Sequence, residues 1–140
     1  MIDKEVNSEF KKFSLIDLND HFLFPFEKLC LFLEGLSIKP STFFHKWSNK
    51  NTQSIIDKYW KPDTKLDWQW SLAYPFFSLL EIYAKTITKP IIIGLSGLPG
   101  CGKSTLGLWI NSVARDLFLD IKVISLDDFY LPGEEMDVAM

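Results

Sequence analysis

The residues Gly97-Leu98-Pro99-Gly100-Cys101-Gly102-Lys103-Ser104 fit the pattern G-x-x-x-x-G-K-[ST] without a gap. Each part of that pattern has a physical task. Glycines allow backbone angles that side chains forbid. Successive N–H groups can then turn inward and form a nest for anionic oxygens. A helix beginning near Lys103 adds its positive dipole end and its unpaired N–H groups. On this reading Gly97, Leu98, Pro99, Gly100, Cys101 and Gly102 wrap a phosphate chain. The Lys103 ammonium bridges the β- and γ-phosphates, the Ser104 hydroxyl coordinates magnesium, and Thr105 reaches the α-phosphate. The ligand expected is a nucleoside triphosphate, ATP with Mg2+. The bland alternative is a glycine turn with a surface lysine.

A second candidate lies at Asp127-Asp128-Phe129-Tyr130. If the preceding apolar run is a parallel strand, these carboxylates sit at its C-terminal end, the edge where open α/β sheets bind ligands. One carboxylate could accept a proton from a substrate hydroxyl or hold it in line for attack. The other could hold magnesium through water. The bland reading is a solvated acidic turn, and that reading is preferred for Glu134, Glu135 and Asp137.

These residues need elements to hold them. Pro90 to Ser96 is a short, unbroken, β-branched run, the pattern of a strand buried on both faces. Ser104 to about Phe118 reads as a helix with Leu106, Trp109, Ile110, Val113 and Leu117 on one stripe. Lys122 to Leu126 reads as a second strand. The expected fold class is therefore α/β: a P-loop nucleoside triphosphate hydrolase fold with a partial parallel sheet, preceded by an aromatic-rich α-helical region. The division falls near Lys89, giving a helical N-terminal region over 1–88 and the start of a P-loop kinase domain over 89–140.

In the first region, Pro25 to Leu33 reads as a short helix that stops at Gly35. Ser41 could cap a helix through Phe43, Phe44 and Trp47. Residues 48–51 read as a loop, and Ile55, Ile56, Tyr59 and Trp60 recur at helical spacing. A longer helix is expected from Asp67 to about Thr86, with Leu72, Phe76, Leu79, Leu80 and Tyr83 on its apolar face and a kink at Pro75. Seventeen of the 21 aromatic residues lie before Lys89. They could form a base-stacking platform, but aromatics at helical spacing more often form a core. His21 and His45 are isolated and read as ordinary histidines rather than metal ligands.

Composition excludes several classes. The 140 residues carry a formal net charge of -3, so a basic nucleic-acid surface is not expected. The two cysteines, Cys30 and Cys101, are too few for a disulfide scaffold and read as free thiols. The start, Met1-Ile2-Asp3-Lys4-Glu5, lacks the order of a secretory signal. No apolar run approaches the roughly 20 residues of a membrane span, so neither a membrane nor a nucleic acid is an expected partner, and the cytoplasm is the expected compartment.

Ser96 to Thr105, followed by Ser125-Leu126-Asp127-Asp128-Phe129-Tyr130-Leu131, resembles the D-glycerate 3-kinases of photosynthetic organisms and their relatives. These group with phosphoribulokinase, uridine kinase and pantothenate kinase. The resemblance spans residues 90–131 and is looser over the aromatic helices. It implies ATP-dependent phosphorylation of a hydroxyl on a small metabolite, with glycerate as the favoured acceptor and Asp127 as the catalytic base beside Lys103. Asp128, where uridine kinases usually carry serine, is then a further catalytic carboxylate and a candidate for magnesium through water. Such kinases need further strands, an arginine-bearing lid and a substrate subdomain after the second strand. Nine residues follow Leu131 here, so a fragment of a longer kinase or a natural short product is expected. The alternative is a non-catalytic ATP-binding or regulatory module. A GTPase or motor-type ATPase ranks below both, because no Asn/Thr-Lys-x-Asp motif is present.

Overall fold

The computed structural model describes residues 26–61 and 63–129. Helix α1 spans Phe26–Gly35, α2 Pro40–Ser48 and α3 Lys50–Ile56, which runs on into a 3-10 turn at Asp57–Tyr59. Helix α4, Leu66–Trp68, passes through a π-turn at Gln69–Ala73 into α5, Tyr74–Thr86. Helix α6 spans Lys103–Asp116, and a 3-10 turn covers Leu126–Phe129. Among the described residues no helix is long and apolar enough to cross a membrane.

The expected parallel sheet is not formed. Among the described residues there is no strand, and the architecture is helical. The two apolar runs expected as strands, 90–96 and 122–126, form no ladder, and both are exposed. Ile92 is 97% accessible and Ile124 66%. A β-branched apolar run signals burial, yet a strand exists only where a second backbone accepts its hydrogen bonds. Neither run supplies that for the other. Gly107 of α6 lies against Val123, whose Cγ1 is 3.0 Å from where a Cβ would stand. The second run thus passes beside the helix at this glycine.

Several local expectations are also corrected. Helix α2 begins at Pro40 with Lys39 as its N-cap and no side-chain cap, so Ser41 lies inside the first turn; proline suits that first position because its missing N–H would be unpaired anyway. The expected loop at 48–51 shrinks to Asn49, whose side chain accepts the Asn51 N–H at 2.9 Å and starts α3 at once. Helix α1 does stop at Gly35 as expected, in a Schellman motif in which Ile38 N–H reaches Leu33 O and Ser37 takes the left-handed angle with φ 60°. Pro25 and His21 lie outside the described residues, as do Tyr130, Leu131, Glu134, Glu135 and Asp137. His45 is exposed.

Where a kink is expected at Pro75, a π-turn lies just before the proline. Tyr74 N–H donates to Gln69 O, the i→i+5 bond that defines such a turn. Pro75 has no N–H to give, and its ring would crowd the carbonyl one turn back in a regular helix; the wider turn accommodates both. The extra residue also rotates the helix face. Trp70, Ala73, Tyr74 and Phe77 are buried, whereas Leu72, expected to face inward, is 44% accessible.

One core joins these helices to α6. Trp47 lies at its centre, fully buried, stacked on Tyr74 at 4.5 Å and edge-on to Phe77 at 5.8 Å. Trp109 and Val113 of α6 belong to the same cluster. The aromatics thus act as core. At the C-terminal end of α6, Asp116 accepts from Tyr59 Oη at 2.7 Å and pairs with Lys58 at 2.6 Å. The Lys58 hydrogen bond, with that of Tyr59, holds the Asp116 carboxyl below its ordinary range.

Glu81 of α5 binds Lys46 of α2 and Lys85 one turn on. Burial alone pushes the Glu81 carboxyl up, but the hydrogen bonds and charges of Lys46 and Lys85 outweigh it and hold the group below its ordinary range. A depressed carboxylate contributes stability that is fully present above its unfolded pKa. That stability is lost as the pH falls from about 4.3 through the lower folded value. Replacing Glu81 by glutamine is therefore expected to lower stability at pH 7 while leaving it less dependent on pH in that acid window. Urea unfolding at pH 7 and pH 3 reads the difference; an unchanged acid slope would contradict it.

Candidate functional site

Residues 97–105 sit where the exposed run 90–96 turns into α6. Two glycines make the turn. Gly100 has φ 76° and Gly102 φ 90°, angles that cost an L-residue roughly 1–2 kcal/mol. Cys101 N–H donates to Leu98 O at 3.3 Å and closes the bend. At Gly97 a Cβ would stand 2.9 Å from Cys101 Sγ, so the exposed thiol would have to turn aside to admit one. Gly102 is the N-cap of α6 and offers no side-chain cap. Its carbonyl accepts the Leu106 N–H at 2.9 Å, which begins the helical ladder. The N–H groups of the first turn, those of Lys103, Ser104 and Thr105, precede that ladder and lie at the positive end of the helix dipole.

Lys103 folds back over the bend. Its Nζ donates to Gly97 O at 2.7 Å and Leu98 O at 2.8 Å, and lies 3.8 Å from Cys101 Sγ. The ammonium thus lies against the turn, held by two of its carbonyl oxygens. Ser104 is exposed and Thr105 half-buried in the first turn of α6. Leu98 is exposed at the tip. Both cysteines are free, Cys101 exposed and Cys30 buried in α1, where burial and then the nearby Glu34 and Glu27 push the Cys30 thiol up to about 11. Cys30 is therefore an inert core thiol.

Asp127 lies in the 3-10 turn Leu126–Phe129, exposed, with its backbone N–H bonded to Ser125 Oγ at 3.3 Å. Among the described residues no hydrogen bond or ion pair joins it to the loop. The side chain of Asp128 lies outside what is described. The structure therefore gathers Gly97 to Thr105 into one turn and leaves Asp127 exposed on a separate one.

Magnesium bound with ATP takes its oxygens from phosphates, water and a side-chain hydroxyl rather than from an all-protein cage. Among the described residues no group of three His, Cys, Asp or Glu side chains could hold a metal. The exposed Ser104 hydroxyl beside the helix N-terminus fits the smaller role.

One neighbour of the loop is not announced by any motif. Trp68, at the end of α4, places Cζ2 3.5 Å and Cε2 3.9 Å from where a Cβ on Gly102 would stand. The only signal in the sequence is the density of aromatics before Lys89. No known family model matches the chain, and no solved structure matches its fold.

Proposed function

We propose that this chain binds the triphosphate of ATP, with magnesium, at Gly97–Thr105, and that the bound ATP phosphorylates a hydroxyl of a small metabolite, D-glycerate being the favoured acceptor. The observation that carries the first half is the left-handed pair Gly100 and Gly102 leading into the uncapped start of α6 under the Lys103 ammonium. Backbone donors, a helix dipole and a surface cation at one turn are suited to an anionic chain of oxygens. Ser104 would hold the magnesium ion, which neutralises phosphate charge as it shifts in the transfer. Lys103 would bridge the β- and γ-phosphates.

The second half rests on the resemblance of Asp127-Asp128-Phe129-Tyr130 to the glycerate kinase pattern. Asp127 would accept the acceptor's hydroxyl proton, and Asp128 would assist through water-bound magnesium. A cytoplasmic setting suits ATP chemistry and two free thiols. The exposed, unconnected position of Asp127 favours a second reading: an ATP-binding or regulatory module without turnover.

Titration calorimetry with Mg-ATP, inorganic tripolyphosphate and AMP tests the site. ATP and tripolyphosphate are expected to bind and compete, and AMP to bind far more weakly; equal binding of AMP would sink a triphosphate site. Phosphorylation of D-glycerate that disappears in Asp127→Asn supports the kinase. ATP binding without turnover on any small hydroxylated acceptor supports the module.

A further inference from the structure

The left-handed angle of Gly102 aims the N–H groups of Lys103, Ser104 and Thr105. What holds that angle is therefore part of the site. The indole of Trp68 borders Gly102, with Cζ2 3.5 Å from where a Cβ on that residue would stand, so the ring occupies the side of the turn that a side chain would face. A side chain from one helix thus borders the N-cap of another, 34 residues on in sequence. Trp68 is itself braced. Its ring meets Trp60 edge-on at 5.5 Å and 86°, and Trp60 stacks on the buried Trp109 of α6 at 4.5 Å and 14°. Helix α6 is therefore gripped twice by one aromatic pair, at Gly102 by Trp68 and two turns on at Trp109 by Trp60.

The brace has a polar frame behind it. Trp60 Nε1 donates to Tyr74 Oη at 3.3 Å, and Tyr74 Oη donates to the buried Gln69 Oε1 at 3.0 Å. Gln69 Nε2 donates to Thr64 O at 3.2 Å. Gln69 opens the π-turn, and Trp68 immediately precedes it. Turns of this kind recur at functional sites, and here the turn sets the direction in which Trp68 leaves the helix.

We propose that Trp68 is a positioning residue for the phosphate loop: by packing on Gly102 it holds the left-handed turn that presents the α6 N–H groups to a polyphosphate. This rests on the phosphate-binding reading above. A positioning role differs from a purely structural one because it changes the affinity of the folded protein and not only its stability. The ring is half-buried, so its emission should also respond when the neighbouring loop is occupied.

The test uses the whole chain, with inorganic tripolyphosphate and magnesium as the probe. Calorimetry and tryptophan emission are followed in the wild type, Trp68→Phe and Trp68→Ala, each first shown to keep its helical circular dichroism. Affinity is expected to fall about tenfold in Trp68→Ala, the equivalent of one 1.4 kcal/mol step, and to recover to within about threefold in Trp68→Phe, whose ring still covers Gly102. The emission change on titration is expected in the wild type and absent in Trp68→Phe, although four of the five tryptophans remain. Wild-type affinity in folded Trp68→Ala, or an undiminished emission change in Trp68→Phe, overturns the proposal. If Trp68→Ala does not fold, the emission of Trp68→Phe decides alone. If the wild type binds no tripolyphosphate, the phosphate-binding reading itself fails, a result distinct from either of these.

Discussion

Replacing Trp47 by alanine is expected to destabilise the fold by about 3–5 kcal/mol, the range for removing a large buried aromatic. Trp47 is fully buried and touches both halves of the core. It stacks almost parallel on Tyr74, meets Phe77 edge-on and lies 6.2 Å from Trp109. Its Nε1 donates to Ser78 Oγ at 2.8 Å, and Ser78 is itself buried. Alanine would leave a cavity between α2, α5 and α6 and strand a buried hydroxyl, which adds about 1–3 kcal/mol where no water can enter. The Lys46 ammonium, 4.7 Å above the ring, would lose its aromatic face as well. Whole-domain stabilities are only about 5–15 kcal/mol, so much of the native margin would go. At a slope of about 2 kcal/mol/M the urea midpoint should drop by about 2 M. Trp47→Phe, which keeps most of the volume, should lose less than half as much. A midpoint for Trp47→Ala within about 0.5 M of wild type would mean that the core is not organised around this ring.

Replacing Lys103 by alanine is expected to weaken Mg-ATP binding by at least about 100-fold, or about 2.7 kcal/mol, within the range of a charge-assisted bond to phosphate. The side chain already stands over the turn, bonded to Gly97 O and Leu98 O. Binding would exchange two neutral carbonyl partners for anionic oxygens, with little rearrangement of the chain. Those two bonds lie at the surface, so removing them should alter stability by no more than about 0.5 kcal/mol. The loss should be larger at low salt, because the charge is incompletely screened there. Arginine should not restore full affinity, since its planar fork does not occupy the place of a compact ammonium. Calorimetry at two ionic strengths, beside thermal melts, separates these effects. Equal affinity of wild type and Lys103→Ala would remove the phosphate loop from any account of this chain.

The parts of the structure that could be read from the sequence are those governed by local rules. The stripe Leu106, Trp109, Ile110 and Val113 on α6 follows from the 3.6-residue period and is buried as that period requires. The glycine turn follows from residue type, since Gly100 and Gly102 take angles that few other residues tolerate. The parts that could not be read depend on distant partners. The isoleucines at 91–93 have strand character, but strand formation is a property of a pair, and no local pattern reveals whether the partner is there. The π-turn escaped because one added residue leaves the helical period almost intact on either side while rotating one side against the other. Leu72, expected on the apolar face, is exposed for that reason, and Phe77, not on the expected face, is buried. Trp68 escaped because its role arises from a contact with Gly102 that spacing does not encode.

A π-turn is one residue of surplus chain stored inside a helix. In Gln69–Ala73 that surplus works as a phase shifter between two faces of one rod. Each residue of a regular helix advances the azimuth by about 100°, so deleting any one position of the turn would keep the length of the rod nearly constant and swing its amino-terminal end around the axis. The Tyr74–Thr86 face would keep its bearing on the core, and the indole at position 68 would point elsewhere. Insertions and deletions here therefore act as rotations. Over evolutionary time, the bearing of this helix on the glycine turn can be re-aimed by a single codon gained or lost, with every side chain that makes the contact left unchanged.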